Sequence, residues 1–298
     1  MLRIEMKKKT IGLLILLIIY IVSMLVGIYT FYLLDNNINV ILKIFIADCL
    51  ATVVIWIFGI ILKTASIYDP YWSIQTPAIM LSLMFYYNNF SVGSVLYFIV
   101  IMYWSIRLTG NFIITFDDIK YIDWRYVDIK KKTGKLYQIV NLLGINMMPT
   151  VLVFLASIPA FLYIVNGTEF SLVNIIGFVV MIVATTIELI SDLNMHKFHK
   201  IRNSRSEIIN VGLWKYSRHP NYLGEIMFWY GVLFVYWFSD FSEWYIIFGA
   251  IGINLLFVFI SIPLAERKMS LYKDNFEEYK KSRRMLIPVP LRGKEDYK

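Results

Sequence analysis

Cysteine, histidine and charge are all scarce in this chain of 298 residues. The one cysteine, Cys49, stands inside an apolar run, which excludes an intrachain disulfide and any multi-cysteine metal site. His196 and His199 are three apart, but the chain has only three histidines, so no metal centre is expected. Charged residues make up 17% of the chain and hydrophobic ones 58%, outside the mix of a soluble globular domain. Neither a G-x-G-x-x-G nor a Walker sequence occurs, so neither a Rossmann domain nor a P-loop is supported. Internal repeats and low-complexity linkers are also missing.

What fills the chain instead is hydrocarbon. Mean hydropathy is +0.62, and apolar runs cover roughly 11–34, 40–62, 74–87, 94–115, 139–165, 172–190, 222–238 and 244–264. A span needs roughly 20 apolar residues. The expected fold is therefore all-α: a polytopic integral membrane bundle of seven to eight transmembrane helices, forming one domain over 1–298. The third run is short and carries Pro77 near its start, so it is expected to tilt or to span only in part.

The net charge of +8 follows membrane topology rather than nucleic acid. Lys and Arg collect on the cytoplasmic side of membrane proteins, and connections 35–39, 88–93, 166–171 and 239–243 contain neither. The alternate connections carry Lys63; Lys120, Arg125, Lys130 to Lys132 and Lys135; Lys197, Lys200, Arg202, Arg205, Lys215 and Arg218; and the basic tail after Arg267. Eight spans with both termini cytoplasmic satisfy the rule, with Lys43 snorkelling from a helix end. Arg3, Lys7, Lys8 and Lys9 precede the first run, which is too long for a signal-peptide core and reads as a retained span.

The most informative stretch is 212–229, GLWKYSRHPNYLGEIMFW. It gathers Arg, His, Asn, Tyr and Glu at the cytoplasmic mouth of a span, where a structural helix end needs only a cap and one or two cations. Asn221 and Glu225, four apart, share a helix face. Upstream, Glu188, Asp192 and His199 follow at steps of four and seven on one helical stripe, and acids near a bilayer edge are unfavourable facing lipid. A solvated helix end beyond the membrane is the alternative for that stripe, and an interfacial anchor for the mouth.

This run, followed by LYKDNFEEYKKSRRMLIP, resembles the C-terminal domain of the steroid 5α-reductase family, whose members reduce an enone double bond with NADPH. The resemblance covers about 188–290. The bacterial branch of that superfamily also accounts for the YDPYWS and DWRY segments, which implies a bacterial plasma membrane. RHPNY alone is shared with isoprenylcysteine and phospholipid methyltransferases that use S-adenosylmethionine. The Gly224-Glu225 pair separates the two.

The resemblance implies that Asn221, Glu225, Asp192 and Tyr272 contact the cofactor. His199 and Leu264 stand where the reductases carry arginines, so Arg218, Arg202 or Arg267 would supply the phosphate clamp. Asp69 and Tyr103 have the separation of the Glu and Tyr that hold the substrate ketone, and Arg107 falls near a cofactor-contacting arginine. Interfacial anchoring is the alternative for Tyr71, Trp72 and Trp104, while Asp123, Arg125 and Tyr126 are expected to order the basic loop. The substrate site is expected within 11–115 and the cofactor site within 139–290. The activity implied is NADPH-dependent reduction of a conjugated C=C bond in a steroid-like or isoprenoid lipid enone. The alternatives are an S-adenosylmethionine-dependent methyltransferase and a non-catalytic lipid-binding protein. Expected partners are an apolar lipid-like substrate and membrane lipids, with no nucleic acid.

Overall fold

A long apolar run in hydrocarbon has no hydrogen-bond partner for its backbone but itself, so it coils. The computed structural model describes residues 2–288, and in it all eight runs are helical. The helices are α1 (Leu2–Leu33), α2 (Val40–Leu62), α3 (Tyr71–Tyr86), α4 (Val92–Thr115), α5 (Trp124–Thr133), α6 (Tyr137–Val140) and α7 (Met148–Val165). They continue as α8 (Asn174–Ile201), α9 (Pro220–Trp237), α10 (Ile247–Leu256), α11 (Ile262–Tyr272) and α12 (Phe276–Ser282). π-helical turns at Asn141–Met147 and Phe257–Ser261 join α6 to α7 and α10 to α11. Among the described residues the sole β contact is an isolated bridge between Ser217 and Arg284. The side chain of Arg3 and residues 289–290 lie outside the described residues.

Among the described residues, six helical segments are long and apolar enough to cross a membrane: Met6–Leu33, Val40–Leu62, Val92–Thr115, Trp124–Val165, Asn174–Ile201 and Trp244–Tyr272. The protein is an all-α polytopic membrane protein. The other two runs form α3, with 16 residues, and α9, with 18.

Two compact units divide the chain, Met1–Phe170 and Ser171–Lys298. Segment 139–165, grouped by its position in the sequence with the cofactor half, belongs to the first. A ladder of hydroxyls explains why: Thr150 of α7 bonds Thr52 of α2 at 3.0 Å and Tyr68 Oη at 2.8 Å, and Ser157 bonds Thr76 of α3 at 2.8 Å. These groups would be costly facing lipid; they pair with one another, and Thr150 and Ser157 also donate to the Asn146 and Val153 carbonyls one turn back.

In the second unit α8 and α9 run antiparallel in close contact along their length. A Cβ on Gly177 would meet Val235 N at 2.6 Å, one on Gly231 would meet Met181 Cγ at 2.6 Å, and one on Gly224 would meet Glu188 Cγ at 2.4 Å. Small residues at these crossings let the two backbones approach, as in other membrane helix pairs. Asn174 closes the far end, its Nδ2 donating to Val235 O at 2.6 Å and Ser239 Oγ at 2.7 Å.

Candidate functional site

The register of α8 against α9 builds the site in the second unit. Because Met181 meets Gly231 and Glu188 meets Gly224, Asn221 falls level with Ser191 and Asp192. Pro220 opens α9, where its fixed φ suits a first helical turn and its missing N–H removes no bond. The preceding turn, Gly212–Lys215, is fastened to α8 by Trp214 Nε1, which donates to Ser191 O at 2.9 Å. Gly212 has φ +57, and a Cβ there would strike Asn194 Nδ2 at 2.3 Å.

Three acids are buried around this mouth: Glu188 (fully), Asp192 and Glu225. Glu225 Oε1 accepts from Trp229 Nε1 at 3.0 Å. Glu188 and Asp192 are thus packed inside the unit and do not form a solvated helix end, whereas His199, further along the same stripe, is exposed. Asn221 Oδ1 is buried and has no hydrogen-bond partner. Tyr272 is 65% exposed at the end of α11, beside Lys273, whose Nζ donates to Glu207 O at 2.6 Å and Arg205 O at 2.8 Å.

Arg218, expected from the resemblance as a candidate for the cofactor phosphate, is bonded within the protein. Its Nε donates to Glu266 Oε1 at 2.8 Å, and its Nη1 donates to Lys280 O at 3.0 Å and to Arg283 O. His219 Nε2 lies 3.2 Å from the same Glu266 oxygen and Lys280 Nζ lies 3.3 Å from the other. The backbone N–H groups of Arg218 and His219 donate to Arg284 O and Met285 O. This cluster ties α12 and the residues that follow it to the head of α9. Burial holds the His219 imidazole below its usual value, and the bond to Glu266 opposes that shift. Glu266 went unremarked in the sequence; an acid closing the apolar run 244–264, with no basic neighbour at helical spacing toward lipid, was the available signal.

In the first unit, α3 packs on α4 and joins the two upstream motifs: the rings of Trp72 and Trp104 lie 5.7 Å apart, and Ser73 Oγ bonds Thr109 Oγ1 at 2.9 Å. Tyr103 is half-buried on α4, and Arg107, one turn on, is buried. Asp69 sits in the turn before α3 and accepts a hydrogen bond from Tyr126 Oη. Burial pushes its carboxyl up to about 7, against the opposing charge of Arg125. The DWRY segment is thereby locked in place: Asp123 caps α5 through Arg125 N at 2.9 Å and its own N–H donates to Ser66 Oγ at 2.8 Å. Asp123, Arg125 and Tyr126 order the loop as anticipated, and Asp69 is the residue they close upon. No group of metal-ligating side chains occurs among the described residues.

Residues 7–284 match the model of the family described as a protein of unknown function, DUF1295. The 3-oxo-5-alpha-steroid 4-dehydrogenase 1 of Rattus norvegicus is 30% identical over 105 residues, 33% of this chain and 37% of that protein. The Homo sapiens counterpart is 33% identical over 102 residues, 32% of this chain and 36% of that protein. An uncharacterized protein of Schizosaccharomyces pombe is 24% identical over 202 residues, 59% of this chain and 58% of its own length. The chain thus spans little more than a third of the steroid dehydrogenases it matches. No solved structure matches. With residues 7–284 matched by one model, the chain belongs to the DUF1295 family, and about a third of it is similar to the steroid 5α-reductases.

Proposed function

We propose that this protein is a membrane reductase that uses NADPH to saturate a carbon-carbon double bond conjugated to a ketone in a steroid-like or isoprenoid lipid. The observation that carries the reading is Asn221 Oδ1, a buried acceptor without a partner in the RHPNYLGE stretch on which the resemblance to the steroid 5α-reductases rests. Buried polar atoms are normally paired, and an exception calls for a ligand. An amide N–H or a ribose hydroxyl is the complementary donor, and a nicotinamide nucleotide carries both. The buried acids Asp192 and Glu225 accept from the same kind of donor, and the exposed ring of Tyr272 offers a face to the nucleotide. His199 and Arg202 border the same end of α8, and the resemblance adds Arg107 as a further cofactor contact.

NADPH, when bound, supplies the hydride. The chain's own work is to position and to polarise. Tyr103 donates a hydrogen bond to the ketone oxygen as negative charge develops there, an oxyanion role worth most in a dry site. Asp69, held by Tyr126 and with its carboxyl raised to about 7, retains a proton over part of the physiological range and assists as a second donor.

Identifying the cofactor tests this directly. A ligand that binds only the folded state raises the melting temperature by mass action. NADPH should stabilise the purified protein, NADH should do so less, and S-adenosylmethionine should have no effect. Asn221→Ala and Glu225→Ala should abolish the response while leaving the protein folded. Stabilisation by S-adenosylmethionine with no response to either nicotinamide nucleotide would contradict the reading in favour of a methyltransferase.

A further inference from the structure

A second site lies in the first unit, apart from Asp69 and Tyr103. α1, α2 and α3 enclose a cavity of about 490 Å³, the size of pockets that take drug-sized ligands. Its walls are almost wholly hydrocarbon. Three of the exceptions stand together, Asp48 of α2 with Tyr71 and Gln75 of α3; apart from the tyrosines Tyr32 and Tyr86, the other is Ser82, whose Oγ donates to Ala78 O at 2.9 Å. Asp48 is 5% exposed and Gln75 2%. Tyr71 Oη donates to Asp48 Oδ1 at 3.2 Å, and Gln75 Nε2 donates to Thr150 O at 3.4 Å. That leaves Asp48 Oδ2 and Gln75 Oε1, both buried and both without a partner.

Two orphaned oxygens in the wall of one apolar cavity call for a group that the chain does not supply. A ketone cannot be that group, because it has no proton to give Gln75 Oε1. An ammonium would leave water for a cavity that offers one carboxylate and little else. A hydroxyl both donates and accepts: it can donate to Gln75 Oε1 while accepting from Asp48 when that carboxyl is protonated. At the other end of the cavity Phe31, Tyr32 and Tyr86 form an aromatic rim, with ring centroids 5.2 Å apart for Phe31 and Tyr86 and 6.2 Å for Tyr32 and Tyr86. Such rings belong at a membrane interface and suit entry from lipid.

We infer that the cavity between α1, α2 and α3 binds an apolar lipid alcohol of steroid or isoprenoid size, hydroxyl inward, through Asp48 and Gln75. This site reads the alcohol and not the ketone, so it does not depend on the proposed reductase activity and its test uses neither cofactor nor turnover.

The full chain in lipid nanodiscs is titrated with two radiolabelled pairs: a hydroxysteroid with the ketosteroid of the same skeleton, and an isoprenoid alcohol with its aldehyde. The alcohol of at least one pair should bind about tenfold more tightly than its carbonyl partner, the scale of one to two hydrogen bonds. Gln75→Leu and Asp48→Leu should each erase that preference. Ala78→Phe, which fills the cavity from α3 and keeps every polar group, should abolish binding. Equal binding of alcohol and carbonyl in both pairs, no binding of either, or binding untouched by Ala78→Phe overturns the inference. The comparison between ligands needs only the unmodified protein, so a variant that fails to fold does not remove the test.

Discussion

Gly224 of α9 lies directly on Glu188 of α8: a Cβ at Gly224 would stand 2.4 Å from Glu188 Cγ and 2.7 Å from the Ala184 carbonyl oxygen. The two halves of the Gly-Glu pair therefore do different things. Gly224 brings the helices together, and Glu225 carries polarity into the space they share. Gly224→Ala should destabilise the protein by roughly 1–3 kcal/mol through overpacking, read as a lower melting temperature in detergent. Gly110→Ala on α4, whose Cβ would meet nothing within 4 Å, is the control and should leave stability level or raise it by up to about 1 kcal/mol. Equal effects at the two positions would contradict the close crossing.

Arg218 and Glu266 form a buried pair, with side chains 9% and 10% exposed. Removing Arg218 leaves Glu266 with His219 and the exposed Lys280 alone, so the cost should fall below the roughly 3–5 kcal/mol of a buried charge left with no partner. Arg218→Met, which keeps the length of the stem, should loosen the tail before it melts the helices. The measurable sign is faster hydrogen exchange at the His219 amide, which donates to Met285 O. Unchanged protection there would show that the tail is held by other contacts.

Asp69 gives stability a pH dependence of definite sign. Its carboxyl holds a proton up to about 7 in the folded protein, against about 3.9 in an unfolded chain. Between those values the folded state binds more protons than the unfolded one, so stability falls as pH rises. The contribution is fully present below the lower value and lost through the upper one. Asp69→Asn is neutral throughout and still accepts from Tyr126, so its melting temperature should fall less between pH 4 and pH 7. Parallel curves for the two proteins would remove Asp69 as the source.

Hydropathy made the helical nature of the apolar runs legible, since a run without polar gaps admits little else in a membrane. Local spacing was informative too: Asn221 with Glu225, and Glu188 with Asp192, are neighbours four residues apart and do meet in one place. Partners distant in sequence were not legible. Arg218 reads as a free cation until Glu266, 48 residues on, is folded against it. Asp69 was matched to Tyr103 by separation alone, and the fold gives it Tyr126, 57 residues away. Asp48 was one acid in an apolar run, with nothing to mark it until Tyr71 and Gln75 were brought to the same cavity. Sequence periodicity fixes which face a residue occupies, but helix packing decides what it faces.

The central claim is hydride reduction of an enone lipid, and NADPH consumption by the purified full chain tests it most directly. Ketosteroid and isoprenoid enones are supplied in turn, with rates normalised to folded protein and the product examined for loss of the double bond. The account predicts NADPH oxidation that depends on one of these enones and matches the double bonds lost. Tyr103→Phe, which removes only the donor, should slow turnover by about 10²- to 10³-fold while NADPH still raises the melting temperature. No enone-dependent oxidation by a protein that binds NADPH would contradict the reductase, and full activity in Tyr103→Phe would remove that residue from the mechanism.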